Sequence, residues 1–281
     1  MNLPQINQPP SAIAIDLDGT LLSSNSKLSP RNRKAIERCL LKCLPIVVAT
    51  SRPERSIRRL IGNELTDRCS LVMLNGAVAK AAPPLSGFVR EQIPASIVED
   101  IIKLVMNTQH ECEVLIELAG HEFGANFQRD AETLWEINSA TPDMVLPLEQ
   151  TRDRVQTKVA VYGFEQDLSG IIAEVSTQFM DFVSVIPSNM SRFFSIVSNT
   201  ASKSQALRIL LNSAQISVED VIAIGDDIPD LDMLEVCGIP IAMSNAVPEV
   251  KAICQYQTAS NDEDGVAIVL EQVIEIFQRE S

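Results

Sequence analysis

Apolar positions along the chain fall into two patterns. Near both ends they form short uninterrupted runs: IAI at 13–15, PIVVA at 45–49, LVMLN at 71–75, VIAIG at 221–225 and IPIAM at 239–243. Uninterrupted runs of this length mark strands buried on both faces, as in a parallel sheet. Between them lie segments of helical period at 30–43, 52–62, 202–214, 230–237, 246–254 and 265–278. Strand and helix therefore alternate, the order of a doubly wound sheet with helices on both faces.

The middle of the chain follows a different rule. GFVREQI, EVLIELAG, HEFGANF, TKVAVYG, FVSVIP and FFSIV read as strands, several separated only by short turns, which favours antiparallel pairing. SIVEDIIKLVMN and EQDLSGIIAEVSTQF read as the helices among them. The expected architecture is α/β: a doubly wound parallel, Rossmann-like core over residues 1–83 and 198–281, with an inserted α+β cap over 84–197. The breaks are placed near Pro83-Pro84 and near Ser198, where hinges would let the cap open and close over Asp16.

Ligands of open α/β sheets bind beyond the carboxyl ends of the strands. There the first strand presents Asp16, Asp18 and Thr20, the second Thr50, Ser51 and Arg52, and the third Asn75 and Gly76. The fourth ends in Gly225, Asp226 and Asp227, with Asp230 one turn on, and the fifth is followed by Ser244 and Asn245. Asp16 and Asp18 alternate along an extended chain and can face one space. Asp16, held at a strand end, suits nucleophilic attack on phosphorus. Asp18, past the strand end, suits proton transfer. Gly19 permits the reversal that follows. Asp16, Asp18, Asp226 and Asp230 crowd four carboxylates together, and crowded carboxylates call for a cation. A hard, oxygen-preferring ion such as Mg²⁺ fits them.

Charge narrows the partners. Lys and Arg number 23 against 37 Asp and Glu, a net charge of −14. Such a field disfavours nucleic acid and anionic membranes. It also repels a phosphorylated substrate unless a metal, Lys or Arg stands at the site. No apolar stretch reaches the ~18 residues of a membrane span, and the N-terminal MNLPQINQPP lacks the basic and apolar regions of a signal peptide. Six scattered cysteines without a CxxC pair read as buried thiols in a reducing compartment, so a cytoplasmic location is expected. The expected state is a monomer or weak homodimer.

DLDGT (16–20), Thr50, Lys203 and GDDIPD (225–230), in this order, resemble the haloacid dehalogenase-like phosphohydrolases. The inserted unit, with NGA (75–77), AMSNA (242–246) and NDEDGVA (261–267), resembles the Cof-type branch with its type IIB cap, so the resemblance spans almost the whole chain. It implies that Asp16 forms an aspartyl-phosphate and binds Mg²⁺, and that Asp18 is the general acid/base and lends its backbone carbonyl to the metal. Thr50 would hold phosphoryl oxygens, Lys203 would neutralise Asp16 and the phosphate, and Asp226 would complete the metal ligands with Asp230 in support. Ser51, Arg52, Asn75, Gly76 and Asn245 are expected to meet the substrate and its phosphate. Two positions depart from the family pattern: Pro229 stands where Asn is usual, and Ser51 where Gly is common. The implied function is a Mg²⁺-dependent phosphatase of a small phosphorylated metabolite. The alternatives are a phosphomutase of the same superfamily and a non-catalytic phosphosugar-binding regulator. Asn189 and Arg192 are candidates for reading the substrate. Asp227 and Asp262 are expected to be solvated or capping, Asp230 to cap a helix or support the metal ligands, and His110 and His121 to lie at the surface. Phe193, Phe194 and Trp135 are expected to pack within the cap.

Overall fold

The computed structural model describes residues 2–4, 8–119, 121–188 and 191–279. The chain forms two compact units, one of Met1–Ser51, Ile57–Val89 and Lys203–Ser281, the other of Arg52–Ser56 and Arg90–Ser202.

The first unit is built on β1 (Ala12–Asp16), β2 (Ile46–Ala49), β3 (Ser70–Met73), β4 (Val78–Lys80) and β5 (Phe88–Arg90), joined late in the chain by β12 (Val221–Gly225), β13 (Ile239–Ala242) and β14 (Tyr256–Gln257). These eight strands run in the order β14-β13-β12-β1-β2-β3-β4-β5. Pairing is parallel from β14 to β3, with Ile15 of β1 level with Ile224 and Val48, and β4 lies antiparallel to β3. Every residue of β1, β2 and β12 is buried, which is why their sequences are apolar without alternation.

The helices of this unit are α1 (Pro30–Leu41), α2 (Glu54–Ile61, of which residues 54–56 group with the second unit), α3 (Asn63–Arg68), α7 (Lys203–Asn212), α8 (Leu231–Val236), α9 (Pro248–Ile253) and α10 (Gly265–Arg279). The α1 start is specified locally: Ser29 accepts from the Asn32 N–H as N-cap, and Pro30 fills the first turn. Two expectations change. The stretch 87–93, expected in the insertion, supplies β5 to the edge of the core sheet, tied back by the Ala81 N–H donating to Gly87 O. The first unit accordingly runs to Val89 and resumes at Lys203. Cys43, expected to be buried, is exposed at φ 57 just past α1. All six cysteines are free thiols.

The second unit holds α4 (Ala95–Met106), β6 (Glu113–Glu117), β7 (Phe123–Ala125), α5 (Ala131–Thr133), β8 (Val145–Pro147), β9 (Lys158–Tyr162), α6 (Ser169–Gln178), β10 (Val183–Ser188) and β11 (Phe193–Ser198). Its six strands run β10-β11-β9-β6-β7-β8. One face, through Val114, Ile116, Val159, Val161, Phe194 and Ile196, packs on α4 and α6. Alternation places Leu115, Glu117, Lys158 and Ala160 on the other. Pairing is antiparallel except for β7 and β8, which are parallel. The chain between them travels back through α5 and a π-helical stretch at Leu134–Asn138 before β8 begins, and such a return connection is what a parallel neighbour needs. Phe194 is buried as expected, but Trp135 is 48% exposed, and His110 and His121 lie at the surface. No helix among the described residues is long and apolar enough to cross a membrane.

Candidate active site

The carboxyl edge of the first sheet is organised around one ammonium group. Lys203 Nζ donates to Asp16 Oδ1 at 2.6 Å, to Asp230 Oδ1 at 2.6 Å and to Ala49 O at 3.0 Å. It thereby ties the end of β1, the end of β2 and the turn after β12. Lys203 is the first residue of α7, where a cation opposes the helix dipole; the two carboxylates offset that opposition. Burial works against its charge, but Asp16 and Asp230 outweigh burial and hold its pKa well above the usual lysine range.

Asp230 both caps and supports. Its Oδ2 accepts from the backbone N–H groups of Asp226 (3.0 Å) and Asp227 (3.1 Å), while Oδ1 takes Lys203. With both oxygens engaged by protein donors and 1% exposure, it serves as scaffold. Gly225 makes room for it, since a Cβ there would lie 2.8 Å from Asp230 side-chain atoms. Asp227 caps the turn by accepting from Ile228 N–H. Pro229 sits in that turn's first positions, where its missing N–H leaves no helical bond unmade.

Asp226 Oδ1 accepts from Thr20 Oγ1 at 2.7 Å. Gly19, at φ +77°, lies so close that a Cβ would stand 2.2 Å from Asp226 Oδ2. Carboxylate oxygens of Asp16, Asp226 and Asp230 lie within 4.8 Å of one another. Three carboxylates and one ammonium leave two negative charges. Burial, then the nearby Asp230, raises the Asp16 pKa well above the ordinary carboxylate value despite Lys203. Burial likewise lifts Asp226 to about 7, with Asp230 and Asp227 adding to the rise and the Thr20 hydrogen bond opposing it. An oxygen-only donor set with that residual charge, and carboxyls reluctant to ionise unaided, fits a divalent cation.

The remaining expected residues distribute as follows. Asp18 lies just past β1 and bridges through its backbone to Leu22. Thr50, buried at the end of β2, donates its N–H to Val72 O and accepts from Asn75 N–H at its carbonyl. Asn75 is left-handed at φ 56°, next to Gly76 at φ 92°. Its Oδ1 is buried without a hydrogen-bond partner. Asn245 is engaged at both ends of its amide, with Nδ2 on Gly19 O at 2.8 Å and Oδ1 on Asn261 N–H at 3.0 Å. Ser51 ends the first segment of the core, whereas Arg52 groups with the second unit. In that unit Arg192 pairs with Glu165 at an exposed position; Asn189 lies outside the described residues. Asp262 accepts from Ser24 N–H rather than facing solvent alone.

Sequence reasoning passed over a second polar cluster, in the second unit. Arg55 grips Glu117 with two hydrogen bonds of 2.7 Å, donates from Nε to Asn138 O at 3.0 Å and lies 4.6 Å over the Phe123 ring. Lys158 stands opposite Glu117 across the β6–β9 pair. Burial depresses its pKa to about 8, partly offset by Glu117. A lysine and a glutamate at facing positions of apolar strands were the available signal; Arg55, 62 residues from Glu117, gave none.

Comparison with known proteins agrees with this geometry. The chain is 28% identical over 279 residues to the Bacillus subtilis stress response protein YhaX, covering 95% of this chain and 94% of that one. It is 26% identical to the B. subtilis 5-amino-6-(5-phospho-D-ribitylamino)uracil phosphatase YitU, with 94% and 97% covered. The crystal structure of a haloacid dehalogenase-like hydrolase from Bacteroides thetaiotaomicron superposes with a TM-score of 0.80 at 25% identity, covering 94% of this chain and 99% of that one. The model of the haloacid dehalogenase-like hydrolase family matches residues 13–270, from β1 into α10, and the chain belongs to that family.

Proposed function

We propose that this hydrolase is a Mg²⁺-dependent phosphatase that releases phosphate from a small phosphorylated metabolite through an aspartyl-phosphate on Asp16. The observation that carries the proposal is the Lys203 ammonium set between Asp16 and Asp230, beside Asp226. That grouping supplies a nucleophile, a fixed cation and a pocket of residual negative charge. The naming of relatives as phosphatases, one of them acting on a ribityl phosphate, supports the same substrate class.

In this reading Asp16 and Asp226 would hold the metal, with the Asp18 carbonyl. When bound, the ion supplies charge neutralisation at the phosphoryl oxygens. The residues do the rest. An Asp16 carboxylate oxygen forms a bond to phosphorus as the ester P–O bond breaks. Asp18 donates its proton to the departing oxygen. Asp18, now a carboxylate, takes a proton from water, whose oxygen attacks phosphorus; the bond to Asp16 breaks, and phosphate leaves. Lys203 keeps Asp16 placed throughout, and Thr50 binds phosphoryl oxygen.

The test is Asp16→Asn, nearly equal in shape but a poor nucleophile. Phosphate release from p-nitrophenyl phosphate with Mg²⁺ should fall by about 10⁴-fold or more, with an unchanged circular dichroism spectrum. Undiminished release would remove the covalent mechanism. Wild-type protein that binds phosphate esters without turning them over would favour the regulator reading.

A further inference from the structure

Three asparagines converge on the loop that follows Asp16, and the roles assigned above account for none of these contacts. Asn245 Nδ2 donates to Gly19 O at 2.8 Å, Asn32 Nδ2 to Leu21 O at 3.1 Å, and Asn261 Nδ2 to Leu22 O at 2.9 Å. The carbonyl ends of two of them are committed as well. Asn245 Oδ1 accepts from Asn261 N–H at 3.0 Å, and Asn32 Oδ1 accepts from Ala267 N–H at 2.8 Å. A continuous path of hydrogen bonds thus runs from Gly19 O through the Asn245 amide and the Asn261 backbone and side chain to Leu22 O. Asn32 and Asn261 are buried. Farther along the loop, Ser24 N–H is held by Asp262 and the Ser29 hydroxyl by Asp264.

The two carbonyls joined by that path both belong to the turn that leads away from Asp18. Gly19 follows it directly, and Leu22 bridges to it through the backbone. Between them the loop winds tightly, with Leu21 N–H on Asp16 O and Leu22 N–H on Leu17 O. An amide suits this task because its NH₂ satisfies a loop carbonyl while its oxygen takes a backbone N–H from another element. An ionised aspartate can only accept, and a serine hydroxyl must donate and accept at one atom on a shorter side chain.

We infer that Asn245 and Asn261, buttressed by Asn32, are positioning residues that aim the Asp18 carboxyl at the leaving-group oxygen by clamping the backbone turn that follows it and bridges back to it. Asn245, expected at the substrate phosphate, is assigned to this clamp instead. The inference rests on the phosphatase reading and on Asp18 as its proton donor. It absorbs the SNA and NDEDGVA segments, which otherwise have no role beyond the family likeness.

A misaimed acid harms esters that need protonation to depart and spares those that do not. The experiment measures kcat/KM with Mg²⁺ for aryl phosphates of similar size, from phenyl through p-nitrophenyl to 2,4-dinitrophenyl. Wild type, Asn261→Ala, Asn245→Ala and the double variant are compared. Each single variant should lose about 100-fold on phenyl phosphate and less than about 5-fold on 2,4-dinitrophenyl phosphate. Because the two amides act as one path, the double variant should resemble either single one. Should an alanine variant fail to fold by circular dichroism, Asn261→Asp and Asn245→Asp, matched in size, carry the same comparison. Equal loss on all esters in a variant that folds, with active wild type, overturns the clamp and leaves the phosphatase standing. Wild type inactive on every ester overturns the phosphatase reading and the clamp with it.

Discussion

Lys203 shows how much one side chain can be asked to do. It is 2% exposed and shared by two buried carboxylates. Replacing it by Met keeps the bulk but leaves Asp16 and Asp230 facing each other without a cation. The expected loss is about 3–5 kcal/mol of folding stability at pH 7.5, measured by urea unfolding in the presence of a chelator. Asp16, already raised by burial and by Asp230, would lose the lowering influence of Lys203 and stand further above its unfolded value. The variant should therefore recover as pH falls toward 5, where the folded state takes up the protons. A deficit equal at both pH values would mean that the cluster is not what the substitution disturbs. Gly19→Ala tests the opposite kind of constraint. Its Cβ would meet Asp226 Oδ2 at 2.2 Å on a positive-φ backbone, so activity should drop at least about tenfold and stability by about 1–3 kcal/mol. Asp16, Asp226 and Asp230 could be grouped from sequence because strand ends in an α/β order converge on one edge, whereas Lys203, at the start of a helix, was legible only through the family resemblance. Thr20 stood in the same list, yet its bond to Asp226 spans 206 residues and no local pattern announces it.

Among the elements, two ion pairs of similar geometry should behave differently because of where they sit. Arg31 of α1 and Glu271 of α10 meet at 2.7 Å with side chains 46% and 37% exposed. Removing either should change stability by less than about 1 kcal/mol. Arg55 and Glu117 also meet at 2.7 Å, but are 4% and 7% exposed. Arg55→Met should destabilise by about 3–5 kcal/mol, and the double change Arg55→Met with Glu117→Met should recover much of that loss, since neither charge is then stranded. Urea unfolding of the four variants checks both statements; a double variant as unstable as the single one would show that packing on Phe123, not charge, is at stake. Uninterrupted apolar runs gave away β1, β2, β3, β12 and β13, and helical period gave α1. The six-residue α3 and two-residue β14 carry too few positions for any period to show. The parallel β7–β8 pair was hidden by a connection of mixed turns, which looks in sequence like any loop.

At the scale of the whole molecule, the cluster of carboxyls links proton uptake to stability and, in the proposed reading, to metal binding. Asp226 is lifted to about 7 and Asp16 is raised as well. The folded, metal-free protein thus holds protons that the unfolded chain gives up above pH 4, so its stability falls as pH rises from about 4 to about 7. In the proposed reading Mg²⁺ would bind the ionised form and reverse the fall. With chelator, the melting temperature should be lower at pH 7.5 than at pH 5.5; adding millimolar Mg²⁺ should raise it at pH 7.5 and much less at pH 5.5. No Mg²⁺ effect at pH 7.5 would count against the metal reading. Two-unit organisation was legible because the apolar pattern changes character in mid-chain. The breaks after Val89 and Ser202, against the expected 83 and 197, were not, because β5 is apolar enough for either sheet and only pairing decides its place. One consequence concerns the order of synthesis. The strand that carries Asp16 is central, paired with β2 on one side and with β12 on the other. During translation at ~5–20 residues per second, Asp226 follows Asp16 by roughly 10–40 s. For that interval one edge of β1, with Ile13 and Ile15, has no partner strand, while much of the second unit has already emerged. A nascent chain halted before Val221 therefore carries Asp16 with neither its lysine's second anchor, Asp230, nor its neighbouring carboxylate, Asp226. It also exposes an apolar strand edge for any chaperone or sister chain to find.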